Sequence, residues 1–194
     1  DQYDCLGSML LPELAAAGVG LVPRGAWNEE VRSWLADFFE KEIEPVLSPL
    51  ALDPARPFPR IQNKSLNFIV RLQGEDAFGR EATLAIVQAP RSLPRVVPLP
   101  ARAEGGQQFV LLSTIIEEFV PRLFEGMIID ECHQFRLTRN SDLFVDEEEA
   151  DDLRRALEGE LAHRRYGAAV RLETTTDCPA ELVKILAKQF GIGA

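Results

Sequence analysis

Arginines in two places are the residues of this sequence best suited to hold a phosphate. One group is Arg136-Leu137-Thr138-Arg139-Asn140; the other is Arg164–Arg165 together with Arg171. A guanidinium offers parallel N–H donors in a planar fork that matches phosphate oxygens. The same fork matches a carboxylate. Asp142, Glu160 and Glu173 are the candidate partners, with Glu160 four residues before Arg164 as on one face of a helix. On composition alone, salt bridging is favoured over anion binding.

Signals for catalysis are weaker. The histidines are His133, inside Cys132-His133-Gln134-Phe135, and His163, beside Arg164. A phosphohistidine needs a nucleophile supported by cations and an orienting partner. No His-x-Lys pattern is present, and both histidines read as structural. Gly18-Val19-Gly20 begins a dinucleotide loop, but position 23 is Pro, and no Gly-Lys-Ser/Thr occurs. Asp130–Glu131, Asp142, Asp146 to Glu149 and Asp151–Asp152 could attract Mg²⁺. Carboxylates at exposed helix starts explain them more simply, so neither a metal site nor a catalytic residue is assigned. Cys5, Cys132 and Cys178 are odd in number and lack Cys-x-x-Cys spacing. They read as three reduced thiols in a cytoplasmic protein.

The elements that must position these residues follow from periodicity. Residues 6 to 18 read as a helix with Leu6, Met9, Leu10 and Leu14 on one face, stopped at Gly18. Asn28 caps a second, carrying Val31, Trp34, Leu35, Phe38 and Phe39 at helical spacing. Five prolines between 45 and 63 make a stiff extended segment that lays Leu47, Leu50, Leu52 and Phe58 over the core; it does not read as a domain boundary. Leu66 to Leu72, Ala82 to Gln88, Val96–Val97, Phe109 to Leu112, Met127 to Leu137 and Ala168 to Thr174 read as strands. Thr114-Ile-Ile-Glu117 and Asp146-Glu-Glu-Glu149 look like capping boxes opening helices, the second running to Gly167. Pro179 opens a last helix with Leu182, Ile185, Leu186 and Phe190 inward, ended by Gly191. Strands in runs imply an α+β fold, a largely antiparallel or mixed sheet covered by helices in a single domain.

Composition excludes some partners. The net charge is -10, which repels nucleic acid and anionic lipid at long range. No apolar run reaches the roughly 18–20 residues of a membrane span. The N-terminus does not read as a signal peptide, and without an initiator Met it reads as part of something longer.

The order of several short segments carries a resemblance. Phe38-Phe39, Glu44-Pro45-Val46-Leu47-Ser48-Pro49-Leu50, Asp53-Pro54 and Pro57-Phe58-Pro59 come first, then Asn63-Lys64-Ser65-Leu66-Asn67. Pro90, Pro94-Arg95-Val96-Val97, Leu99-Pro100 and Leu123-Phe124 follow. Phe135-Arg136-Leu137-Thr138-Arg139-Asn140-Ser141-Asp142, Arg164-Arg165-Tyr166-Gly167 and Val170-Arg171-Leu172-Glu173 close the series. From about Gln2 to about Gly191 it resembles the middle, or head, domain of the long, histidine-phosphorylated polyphosphate kinases.

The resemblance implies residues 1–22 as a junction with an N-terminal helical domain and 23–194 as the middle domain. The family's enzymes move the terminal phosphate of ATP to polyphosphate with Mg²⁺, through a phosphohistidine in C-terminal domains that this chain lacks. Neither His133 nor His163 matches that histidine. The implied role is therefore non-catalytic: scaffolding, homo-oligomer contacts with the other kinase domains as partners, and polyphosphate contact through Arg136, Arg139, Arg164, Arg165 and Arg171. This piece needs no cofactor; Mg²⁺ and ATP belong to the parent enzyme. The alternative is a standalone interaction domain without kinase activity.

Overall fold

The computed structural model describes residues 2–53, 56–75, 82–101, 106–140 and 167–193, with nothing stated for the side chain of Tyr3. Its elements, numbered along the chain, bear out the α+β class. The sheet expected from the strand runs is in fact two sheets, one in each of two compact units: Asp1–Val46 with Ser92–Leu123, and Leu47–Arg91 with Phe124–Ala194.

In the first unit, α1 (Gln2–Cys5), a π-helical turn (Leu6–Leu10) and α2 (Leu11–Ala16) form the first helical stretch. Leu6, Met9, Leu10 and Leu14, which the spacing puts on one face, are all exposed. β1 (Val19–Leu21) runs parallel to β6 (Gln107–Leu111), which pairs on its other side with antiparallel β5 (Val96–Pro98). Backbone closes tightly where β1 meets β6. Gly106 has φ +82°, and a Cβ there would lie 2.9 Å from the Gly18 carbonyl oxygen, so only glycine fits.

The Asn28 side chain accepts from the Val31 amide at 2.9 Å and caps α3 (Glu29–Phe38), as its spacing predicts. Helical backbone continues as a π turn to Ile43 and a 3-10 turn at Glu44–Val46, and Leu35, Phe39 and Ile43 are fully buried. The Phe39 and Phe119 rings lie 5.4 Å apart and join this helix to α4 (Leu112–Phe119). The capping box expected at Thr114 is not formed. β6 passes straight into α4 at Leu112, whose amide donates to the Arg95 carbonyl at 3.0 Å and whose side chain is buried. Tertiary burial starts the helix two residues before the local signal. Arg24 and Arg32 both pair with Glu118 on α4.

The second unit holds a five-stranded antiparallel sheet ordered β2-β4-β3-β7-β8. The strands are β2 (Ser48–Ala51), β3 (Leu66–Gln73), β4 (Leu84–Ala89), β7 (Ile128–Arg139) and β8 (Ala169–Thr174). The proline-bearing segment thus supplies edge strand β2, with Pro49 at the edge position a proline tolerates. Leu47 is buried there, whereas Leu50 is exposed. Central strand β3 is buried on both faces from Leu66 to Val70, so its apolar alternation understates its burial.

The last helix, α5 (Ala180–Phe190), ends at Gly191 in the left-handed conformation. Its Leu182 and Leu186 pack with Ile61, Ile69, Ile86, Phe135 and Leu137 into one core. The helix expected from Asp146 to Gly167, with Arg164, Arg165 and His163, lies outside the described residues apart from Gly167.

Candidate anion-contacting face

Antiparallel register places the arginines. Arg136 pairs directly with Glu173, and Thr138 with Arg171, so these four share one face of β7–β8. Phe135 and Leu137 alternate to the other face and enter the core with α5. The strand period therefore anchors β7 on one side and presents arginine on the other.

Arg136 grips Glu173 with both arms of its fork, Nε to Oε2 at 2.7 Å and a terminal nitrogen to Oε1 at 2.9 Å. Arg171 donates to the same Oε1 at 2.9 Å. Arg136 and Arg171 are exposed, at 48% and 68% of the side chain, while Glu173 is 22% exposed. The Arg136 hydrogen bond holds the Glu173 carboxyl below the usual carboxylate range; partial burial opposes this, and the charges of Arg136, Arg171 and Lys64 add to it. Two guanidinium groups thus meet at one carboxylate in a chain whose formal net charge is -10.

Arg139 behaves differently from its neighbour. Alternation along β7 puts it on the opposite face, with Phe135 and Leu137, where it meets the chain before β3. Its backbone amide donates to the Asn63 side-chain carbonyl at 2.9 Å; its guanidinium donates to the carbonyls of Ile61 at 2.9 Å and Gly167 at 2.8 Å. The fork that the sequence offered to phosphate is engaged with backbone. Arg164 and Arg165 lie outside the described residues.

His133 is 9% exposed. Its Nε2 stands 3.8 Å from Glu131, and its Nδ1 3.8 Å from Asp177 and 3.5 Å from the Thr175 hydroxyl. The Thr175 hydroxyl, then the backbone amide of Asp177, keep the Asp177 carboxyl below its ordinary range. Arg71 joins the group, 3.4 Å from Glu131 and 3.1 Å from Glu181. This network was invisible to sequence reasoning, because it depends on the β3–β7 register, which pairs Arg71 with Glu131 and Ile69 with His133. No group of His, Cys, Asp or Glu among the described residues is arranged to hold a metal ion. Cys5, Cys132 and Cys178 form no disulfide; burial pushes the Cys178 thiol up, away from reactivity.

A mostly apolar cleft of about 660 Å³ opens between β2 and α5, lined by Leu50, Leu52, Pro57, Phe58, Leu84 and Ile185 among others. Among the described candidates, Arg136, Arg139 and Arg171 do not border it.

Comparison with known proteins agrees with the segment order. The family model described as the polyphosphate kinase middle domain matches residues 30–194. A polyphosphate kinase of Xylella fastidiosa (strain 9a5c) is 52% identical over 194 residues, covering 99% of this chain and 28% of that protein. One from Neisseria meningitidis serogroup C (strain 053442) is 52% identical, covering 100% and 28%. One from Pseudomonas aeruginosa is 51% identical over 192 residues, covering 98% and 28%. The chain thus spans a little over a quarter of the length of these relatives. The crystal structure of polyphosphate kinase from Porphyromonas gingivalis has the same fold, with a TM-score of 0.75 at 22% identity over 98% of this chain and 26% of that one. Among the described residues, no helix is long and apolar enough to cross a membrane.

Proposed function

Because the chain belongs to the polyphosphate kinase family and matches its middle domain, we propose that it is the non-catalytic middle domain of a cytoplasmic ATP:polyphosphate phosphotransferase. It holds the other domains and subunits of a homo-oligomer in place and contacts polyphosphate. Residues 1–22 form the junction to a preceding helical domain. Mg²⁺ and ATP act elsewhere in the parent enzyme.

One observation carries the polymer contact: Arg136 and Arg171 present guanidinium groups on a single exposed face of β7–β8. A polyanion approaches an acidic protein only where the field is locally reversed. Arg139 enters the proposal as the residue that fixes this end of the sheet. Arg164 and Arg165 belong to it on the sequence resemblance alone.

The direct experiment measures polyphosphate binding by the 194-residue chain against salt. Arg136→Gln combined with Arg171→Gln should lower affinity about tenfold or more. It should also flatten the slope of log K on log salt by roughly one to two units. Unchanged affinity and slope in a folded double variant would remove the polymer contact.

The non-catalytic part has its own test. His133 is nearly buried between two carboxylates, which repel a nucleotide's phosphates. Incubated with γ-labelled ATP and Mg²⁺, the chain should carry no label. Stable label that disappears in His133→Ala would contradict the proposal.

A further inference from the structure

Lys64 has φ +55°, the one non-glycine with positive φ among the described residues. A lysine there carries a steric cost that glycine would avoid. A dense set of bonds holds it so. The Lys64 amide donates to the Leu137 carbonyl at 2.7 Å. Asn63 accepts from the Arg139 amide through its side chain at 2.9 Å and from the Arg91 guanidinium through its carbonyl. The Ser65 hydroxyl donates to the Gln62 carbonyl at 2.9 Å, and the side-chain nitrogen of the fully buried Asn67 donates to the Ser65 carbonyl at 2.9 Å.

All this over-determines a turn whose lysine is exposed and whose charge bears on Glu173. Backbone strain held by its surroundings points to function when the strained residue presents chemistry. Here the chemistry is an exposed lysine whose backbone is bonded to Leu137, the residue next to Arg136 on β7.

We infer that Lys64 is a further phosphate contact, joining Arg136 and Arg171 in one polyphosphate subsite, and that Glu173 is its internal stand-in for phosphate, gripping the cations until polymer displaces it. The inference rests on the polymer contact proposed above and adds two residues to it. Arg136 and Arg171 stand diagonally across two strands, roughly 7–8 Å apart at the backbone. Their guanidinium groups nonetheless meet at one Glu173 oxygen, so one phosphoryl group of a polymer would take the place of the carboxylate. A carboxylate held ionised at their centre keeps the forks ordered and raises the threshold for smaller anions.

Two variants test it, with inorganic polyphosphate as the probe and inorganic phosphate and single-stranded DNA as comparisons. Lys64→Gly removes the charge and the strain together. It should melt at or above the wild-type temperature while binding polyphosphate several-fold more weakly, with a shallower salt slope. Glu173→Gln removes the competitor and should bind polyphosphate several-fold more tightly. Wild-type polyphosphate affinity and slope in Lys64→Gly, or weaker binding by folded Glu173→Gln, would overturn the inference while leaving the Arg136–Arg171 contact standing. Equal wild-type affinity for DNA and polyphosphate would reduce the subsite to a generic cationic patch and overturn it. No binding of polyphosphate by wild type would overturn both readings.

Discussion

Phe135→Ala should lower the unfolding free energy by about 3–5 kcal/mol, the cost of deleting a buried aromatic side chain and leaving a cavity. The ring is 1% exposed and belongs to the core of Ile61, Ile69, Ile86, Leu137, Leu182 and Leu186. It lies 6.2 Å from Phe190, which meets Phe58 edge-on at 5.4 Å. Three aromatic side chains thus lock α5 and the proline-bearing segment onto the sheet. The loss is a large share of the roughly 5–15 kcal/mol that keeps a typical domain folded. In a chain of this size it should lower Tm by on the order of 10 °C. Val170→Ala, on the exposed edge strand, is the control and should change stability by less than about 0.5 kcal/mol. Thermal melts of the two variants decide the matter. A Phe135→Ala protein that melts within a degree or two of wild type would mean that β7 and α5 are not packed as described.

Arg139→Gln should cost about 2–3 kcal/mol, far more than Arg136→Gln. The half-buried Arg139 guanidinium ties the Ile61 and Gly167 carbonyls to the end of β7, and glutamine cannot span both. Hydrogen bonds from a charged donor contribute more than neutral ones, and a deserted carbonyl adds its desolvation cost. Arg139→Lys should recover less than half, because one ammonium lacks the fork. Arg136 pairs with Glu173 where solvent screens the pair, so its loss should cost less than about 1 kcal/mol. Denaturant titration of the three variants tests the ranking. Equal stabilities for Arg136→Gln and Arg139→Gln would show that Arg139 does not clamp the strand end.

Much of this architecture is legible in residue order because it is local. The Asn28 cap, the Gly191 stop and the apolar periods of β7 and α5 each depend on residues within a turn or two. The illegible parts depend on distant chain. Parallel pairing of Val19 with Gln107 joins segments far apart in sequence, and no local signal announces it. α4 starts at Leu112 because the Arg95 carbonyl and a buried side chain capture it there, overriding the Thr114 signal.

The site divides the same way. Arg136 and Arg171 stand out as residue types, and Glu173 was a foreseeable partner. Their convergence needed the β7–β8 register. The separation of Arg136 from Arg139, three positions apart on one strand, follows from the alternation of β7, whose bounds had to reach Arg139 for the rule to apply. Lys64 was hidden within a short polar segment because its left-handed backbone is imposed by Leu137, Arg139 and Arg91 from elsewhere in the fold.

The central claim is that the Arg136–Arg171 face touches polyphosphate during phosphate transfer, while the chemistry lies outside this chain. The most direct measurement is steady-state kinetics of a complete kinase assembled around this chain, run from polyphosphate toward ATP. With Arg136→Gln and Arg171→Gln together, KM for polyphosphate should rise about tenfold, while kcat, Tm and subunit assembly stay near wild type. An unchanged KM, or a loss of activity that tracks only unfolding or dissociation of subunits, would contradict it.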